Sequence, residues 1–288
     1  CDFLTLAGDW PYRYLNDRDI GRTRGEASID DLIGRILEPE LSNLSRSKDR
    51  WAFAGRLLGD PAASLYRAMC SLFLSPDASL LWNTYQKEEP WNYYGMNQAA
   101  SLLARVIPGP LRHRTGEDAS LLNWHKLATR SFDRTWLVFL NSSGEPKKFA
   151  IPGGSGRPAD LPPGGPTAVV MIHSFSAADP TDPRTIAGRW LALGAFAYLG
   201  EMNEPYLNAF RPPDLVAELL VAGIPLAAAV REGPEEPFGQ PWRLVYLGDP
   251  LYRLNLRDSR QGGATALDHE NLLIRVDPIQ WVASTGDD

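Results

Sequence analysis

Thr167-Ala168-Val169-Val170-Met171-Ile172 is a continuous apolar and largely β-branched run, and His173-Ser174-Phe175-Ser176 follows it directly. An uninterrupted apolar run of this length, closed by turn-forming residues, reads as a strand buried on both faces, as the strands of parallel sheets are. Thr135-Trp136-Leu137-Val138-Phe139-Leu140 has the same character and ends in Asn141-Ser142-Ser143-Gly144-Glu145-Pro146. Beyond them lie a small-residue strand, Gly194 to Gly200, and a further strand from Trp242 to Leu247 that stops at Gly248-Asp249. Helical patterns stand between them. Thr185 to Leu193 turns Ile186, Trp190 and Leu193 inward, Pro213 to Ala222 carries Asp214 as a cap with Gly223 just past its end, and Pro225 to Arg231 is Ala-rich. Strands alternating with helices define an α/β protein, a three-layer αβα sandwich around a mostly parallel central sheet.

The amino half is patterned less sharply. Phe3 to Ala7 reads as a buried strand with a turn at Gly8-Asp9, Arg13 to Glu26 as a charged surface loop, and Ser28 to Ile36 as a short apolar segment. Pro39 to Phe53 and Ala62 to Leu74 read as helices, the second with Leu65, Met69, Leu72 and Phe73 on its inner side. Ser79 to Trp82 is brief and apolar. Gly95 to Val106 is a helix stopped by Pro108-Gly109-Pro110, Leu111 to Arg114 a short strand, Asp118 to Ala128 a helix, and Pro152 to Pro166 a Gly- and Pro-rich loop. The organisation expected is one domain over 1–259, with a helical insertion at about 39–130, followed by a loop and edge-strand tail over 260–288.

Composition narrows the function classes. The 288 residues are 44% hydrophobic and 22% charged, ordinary globular usage that excludes wholesale disorder. The net charge of −6 and the lack of a dense basic run argue against non-specific nucleic-acid binding. No apolar stretch approaches the roughly 20 residues of a membrane span. The two cysteines, Cys1 and Cys70, cannot by themselves build a disulfide framework or a zinc site, and no cofactor motif is present. Cys70 lies on an amphipathic helix and reads as a small buried apolar residue. Cys1 allows two readings, a lipid-modified residue left after signal cleavage or a chain that begins inside a domain. The absence of a tether before Phe3 favours the second.

The series Ile172-His173-Ser174-Phe175-Ser176, Gly194 to Gly200, Glu204-Pro205-Tyr206-Leu207 and Leu247-Gly248-Asp249-Pro250-Leu251-Tyr252-Arg253 resembles the carboxyl half of gingipain-like peptidases. Leu6-Ala7-Gly8-Asp9 and Ile33-Gly34-Arg35-Ile36 resemble that group's Gly-Asp turn and Gly-Arg strand start. The resemblance implies the caspase–haemoglobinase fold and cysteine-peptidase chemistry. It places a His on the loop after one central strand and a Cys on the loop after the next. Relatives of this kind are often exported, so the resemblance also implies an extracytoplasmic location, although no export signal is retained.

The two loops here hold Asn141, Ser142, Ser143 and Gly144, with no His, and His173, Ser174 and Ser176, with no Cys. The expectation is therefore a remnant site with both catalytic positions substituted. His173 and Ser174 are chain neighbours whose side chains point apart in a strand, which is poor geometry for a base and its nucleophile. Glu204 and Asp249 are candidate ligand-binding carboxylates or structural hydrogen-bond acceptors. Asp179, Asp182 and Arg184 read as solvated loop charges, and His113 and His125 are too isolated for a metal site; no metal is expected. Three functions stay open. They are a degenerate caspase-like scaffold or protein-binding module, alone or within a larger assembly, an active hydrolase using Ser174 or residues from missing sequence or a partner chain, and a pocket lined by Asn141, Ser174, Glu204 and Asp249 for another reaction. The partner expected is a protein or the remainder of a longer polypeptide, with no nucleic acid.

Overall fold

The computed structural model describes residues 2–8, 10–16, 25–34, 50–59, 61–85, 88–204, 207–231 and 243–254. In chain order the elements are β1 (Asp2–Ala7), β2 (Arg13–Asn16), β3 (Gly25–Ser28), α1 (Ile29–Ile33), β4 (Ala52–Leu57), α2 (Pro61–Phe73), β5 (Ala78–Asn83), α3 (Asn97–Val106), β6 (Leu111–Thr115), α4 (Leu121–Ala128), β7 (Trp136–Asn141), β8 (Gly144–Glu145), β9 (Lys148–Ile151), β10 (Gly154–Gly156), β11 (Thr167–Ile172), α5 (Ile186–Ala192), β12 (Ala195–Glu201), α6 (Pro213–Val221), α7 (Leu226–Ala229) and β13 (Leu244–Leu247). Eight strands form one sheet in the order β1-β4-β13-β12-β11-β7-β5-β6.

The two deciding runs lie at the centre. β11 pairs in parallel with β7 over its whole length, Thr167 against Trp136 through Ile172 against Asn141. Side chains alternate across each strand, so Leu137, Phe139, Val170 and Ile172 meet α3, α6 and α7 on one face. Val138, Leu140, Val169 and Met171 meet α4 and α5 on the other. Each such fully buried aliphatic or aromatic side chain contributes about 1.5–3 kcal/mol. Burial on both faces is why these strands carry no polar alternation, and helices on both faces make the three-layer αβα sandwich.

Strand direction sets where the site can be. β6, β5, β7, β11 and β12 run parallel. β13 is antiparallel to β12, with Glu201 facing Leu244 and Tyr198 facing Leu247. β4 is parallel to β13, and β1 to β4. The ends of β5, β7, β11 and β12 therefore share one edge of the sheet, while Gly248 and Asp249 emerge at the opposite edge.

Several expectations in the amino half are corrected. β1 is an edge strand whose side chains are exposed or half-buried rather than core. Arg13–Asn16 and Gly25–Ser28 pair as an antiparallel ribbon rather than forming one loop. Ile29–Ile33 is a short helix capped by Ser28, and its buried residues are Asp30 and Asp31. The expected helix ending at Phe53 gives way to β4 from Ala52, and its residues 39–49 lie outside the described ones. Where a helical insertion is expected at about 39–130, the described residues add β4, β5 and β6 to the main sheet. α2 forms, but Leu65 is 60% and Leu72 73% exposed, so the face expected to be inward points to solvent. α6 starts at Pro213 with no side-chain cap from Asp214. The loop from Pro152 to Pro166 contributes β10 to a three-stranded sheet with β8 and β9. The expected tail over 260–288 and Cys1 lie outside the described residues.

Candidate functional site

The segments leaving β7 and β11 meet. The Ser142 N–H donates to the Ile172 carbonyl at 2.9 Å, and the Tyr85 hydroxyl donates to the Ser142 carbonyl at 2.8 Å. Beneath them Asn141 is completely buried and fully used. Its Nδ2 donates to Asn83 Oδ1 at 2.6 Å and to the Tyr94 carbonyl at 2.9 Å, while its Oδ1 accepts the Thr84 N–H at 2.6 Å. The residue ending β7 thereby pins the loop after β5 to the site.

The polar groups after β7 are engaged in holding the small sheet. Ser142 Oγ donates to the Ala150 carbonyl at 2.5 Å, and the Ala150 N–H donates to the Ser143 carbonyl at 2.7 Å. Gly144 has φ +150°, and a Cβ there would lie 2.3 Å from the Lys148 carbonyl oxygen and 3.1 Å from His173 Nε2. The β8–β9 ribbon can approach the imidazole only because this position carries no side chain.

His173 is buried, with Nε2 3.1 Å from the Lys148 carbonyl. Because a carbonyl only accepts, Nε2 carries the proton and Nδ1 the lone pair, and Nδ1 has no hydrogen-bond partner among the described residues. Burial pushes the imidazole down to about 4, against the opposing pull of the Lys148 carbonyl. It is therefore neutral at pH 7. The turn that follows is sharp. Phe175 has φ 61°, a left-handed conformation unusual for an aromatic residue. The half-buried Ser174 hydroxyl makes no hydrogen bond among the described residues. Ser176 Oγ accepts the Glu201 N–H at 3.3 Å. A Cβ on Gly200 would sit 2.4 Å from that Oγ, so glycine lets the turn rest on β12.

Two site residues are absent from the sequence reading. Glu201 ends β12, is completely buried, and neither carboxyl oxygen has a hydrogen-bond partner among the described residues. Burial pushes its pKa well up, Glu204 adds to this, and Arg243 opposes it. Tyr85 is likewise pushed up by burial and then by Glu201. The signal that could have found Glu201 is its register: as β12's last residue it stands beside the ends of β7 and β11.

The remaining candidates divide. Glu204 stays at the site edge, where its N–H donates to Asn203 Oδ1 at 2.7 Å and its carbonyl accepts from the Arg243 guanidinium. Asp249 is at the opposite edge, accepting the Ser71 hydroxyl at 2.5 Å and the Leu251 N–H at 2.9 Å. It shares no pocket with Ser174 because β13 runs antiparallel to β12. Asp182 pairs with exposed Arg184 at 2.9 Å, Asp179 accepts the Thr181 hydroxyl at 2.8 Å, and His125 lies 3.4 Å from Asp160. His113 is half-buried on β6. Cys70 is buried on α2, its thiol pushed up by burial, with Tyr66 and Arg67 pulling the other way. Among the described residues no group of three His, Cys, Asp or Glu side chains converges to hold a metal ion, and no helix is long and apolar enough to cross a membrane.

A mostly parallel sheet between two helical layers, with a final antiparallel strand and two loops meeting over the ends of neighbouring central strands, is the caspase-like architecture. Gingipain R, an Arg-specific cysteine proteinase, matches this chain with a TM-score of 0.55 at 13% identity, over 88% of this chain and 64% of its own. A second protease structure matches with a TM-score of 0.53 at 12% identity, over the same shares of the two chains. The chain thus spans less than two thirds of either protease. No family model matches the sequence, and no curated protein does.

Proposed function

We propose that this chain is a catalytically inactive caspase-fold domain that serves as a scaffold or protein-binding module. The observation that carries the proposal is the use to which the strand-end groups are put. His173 Nε2 binds the Lys148 carbonyl, and Ser142 Oγ binds the Ala150 carbonyl. Acyl transfer requires a nucleophile within hydrogen-bond reach of its base and a third group to orient that base. Among the described residues no serine or cysteine stands in that relation to an imidazole. An imidazole held near 4 is also a weak base for deprotonating a hydroxyl at neutral pH. Leu65, Tyr66, Leu72 and Phe73, repeating at seven-residue intervals along exposed α2, support the protein-binding half of the proposal, since grouped exposed apolar side chains mark interaction surfaces.

One observation favours a second reading, a hydrolase that uses Ser174. Its hydroxyl is uncommitted and stands directly before the left-handed Phe175, and backbone strain of this kind clusters at functional sites. Digestion of a diverse peptide library, read by mass spectrometry, separates the two. The inactive-domain reading expects no cleavage above a heat-denatured control. Cleavage by the wild-type chain that disappears in Ser174→Ala would replace it with the hydrolase.

A further inference from the structure

A cleft of about 740 Å³ opens at the outer edge of the sheet, away from the strand ends that form the candidate site. The parallel register pairs Leu80 with Arg112 and Trp82 with Arg114, so both arginines project from the face of β6 on which α4 packs. Lys126, in the last turn of α4, and Arg130, just past its end, line the same cleft. Four cations thus surround one concavity, with Asp118 the single carboxylate, in a chain of net charge −6. None of the four has an ion-pair partner among the described residues. Arg112 is held in place, its guanidinium 5.2 Å from the centre of the Trp136 ring. The floor is apolar, formed by Trp82 and Leu127.

We infer that this cleft is a binding site for a ligand bearing two or more adjacent phosphate groups. Like charges gathered without counter-charges repel one another, and a multivalent anion turns that repulsion into attraction. Arginine forks match phosphate oxygens in pairs, and lysine adds a point charge. The volume lies in the range of small-molecule sites, and an apolar floor under a cationic rim suits a phosphorylated compound with a ring or chain to cover. The site is independent of whether Ser174 or His173 does any chemistry.

The test is calorimetric titration of the full chain with tripolyphosphate, at low and at physiological ionic strength. Saturable binding to one site is expected. Arg114→Gln/Lys126→Gln should weaken it by about tenfold or more, since charge-assisted hydrogen bonds are individually worth that much, with an unchanged far-ultraviolet circular dichroism spectrum. Arg105→Gln, at an exposed position of α3 on the other face of the sheet, should leave it intact. Vesicles containing phosphatidylinositol bisphosphate test a lipid source of the same groups. Co-sedimentation that tripolyphosphate competes away assigns the cleft to a headgroup, and tripolyphosphate binding without co-sedimentation assigns it to a soluble ligand. No saturable binding by the folded chain, or equal weakening by Arg105→Gln, would overturn the inference.

Discussion

The imidazole Nε2 of His173 lies 3.1 Å from the carbonyl oxygen of Lys148. That contact joins the turn after β11 to the β8–β9 ribbon, so a residue standing where a catalytic loop is expected works as a structural tie. Its buried Nδ1, without a hydrogen-bond partner among the described residues, makes protonation costly.

Acid stability should report this burial. His173 has a folded value of about 4 against an ordinary 6.5. The unfolded chain therefore binds the extra proton first, and stability falls as pH drops from about 6.5 towards 4, below which both states are protonated. A fall of this size corresponds to about 3 kcal/mol. Denaturant titrations across that window should show the slope in the wild type and a clear flattening in His173→Gln.

Glu201 acts with the opposite sign. Its folded pKa is raised, so the native chain keeps a proton that the unfolded chain releases above about 4.5. Stability is then lost as pH rises towards the folded value. Glu201→Gln preserves shape without the ionisable group. It should raise the melting temperature at pH 8 and give no gain at pH 4, as read by thermal denaturation.

Asn141 is the central polar bracket of the site. Asn141→Ala removes the partner of the Tyr94 carbonyl and the Thr84 N–H and one of the two donors to Asn83 Oδ1, which keeps the Tyr85 N–H. The expected cost is about 3–5 kcal/mol. Hydrogen exchange should increase first at residues 84–85 and 88–96, which this side chain helps to hold, and the ends of β7 and β11 should follow only on global unfolding.

Gly144→Ala should cost about 2 kcal/mol or more. It combines a left-handed backbone with a Cβ 2.3 Å from the Lys148 carbonyl. Gly153→Ala is a suitable control, because its φ is +85° but nothing lies within 4 Å of the added Cβ. The difference in chemical-denaturation midpoint between the two isolates the steric part of the penalty.

Much of the fold was legible because β7, β11, β12 and β13 are buried on both faces and so carry unbroken apolar runs. β4 was not legible, because Arg56 interrupts it. That arginine is completely buried and neutralised by Asp30, with Nε 2.9 Å from Oδ2, a pairing that local sequence does not announce. The orientation of α2 was misjudged for a related reason. Its apolar residues satisfy a helical period, and periodicity alone cannot say which face meets the sheet. At the site, the placement of residues 141–144 and 173–176 after two central strands was legible from the two apolar runs, whereas their contact depends on β7 and β11 being direct neighbours in the sheet. The separation of Asp249 from Ser174 was not legible, because it depends on β13 reversing direction, and Glu201 was hidden at the end of an apolar strand.

The most direct measurement is intact-protein mass spectrometry after exposure of the purified chain to a fluorophosphonate and to a peptidyl chloromethyl ketone. With Ser142 and His173 tied to backbone carbonyls and no base on the Ser174 hydroxyl among the described residues, the mass should stay that of the unmodified chain. Stoichiometric addition of one label, lost on Ser174→Ala or on His173→Gln, would contradict the account.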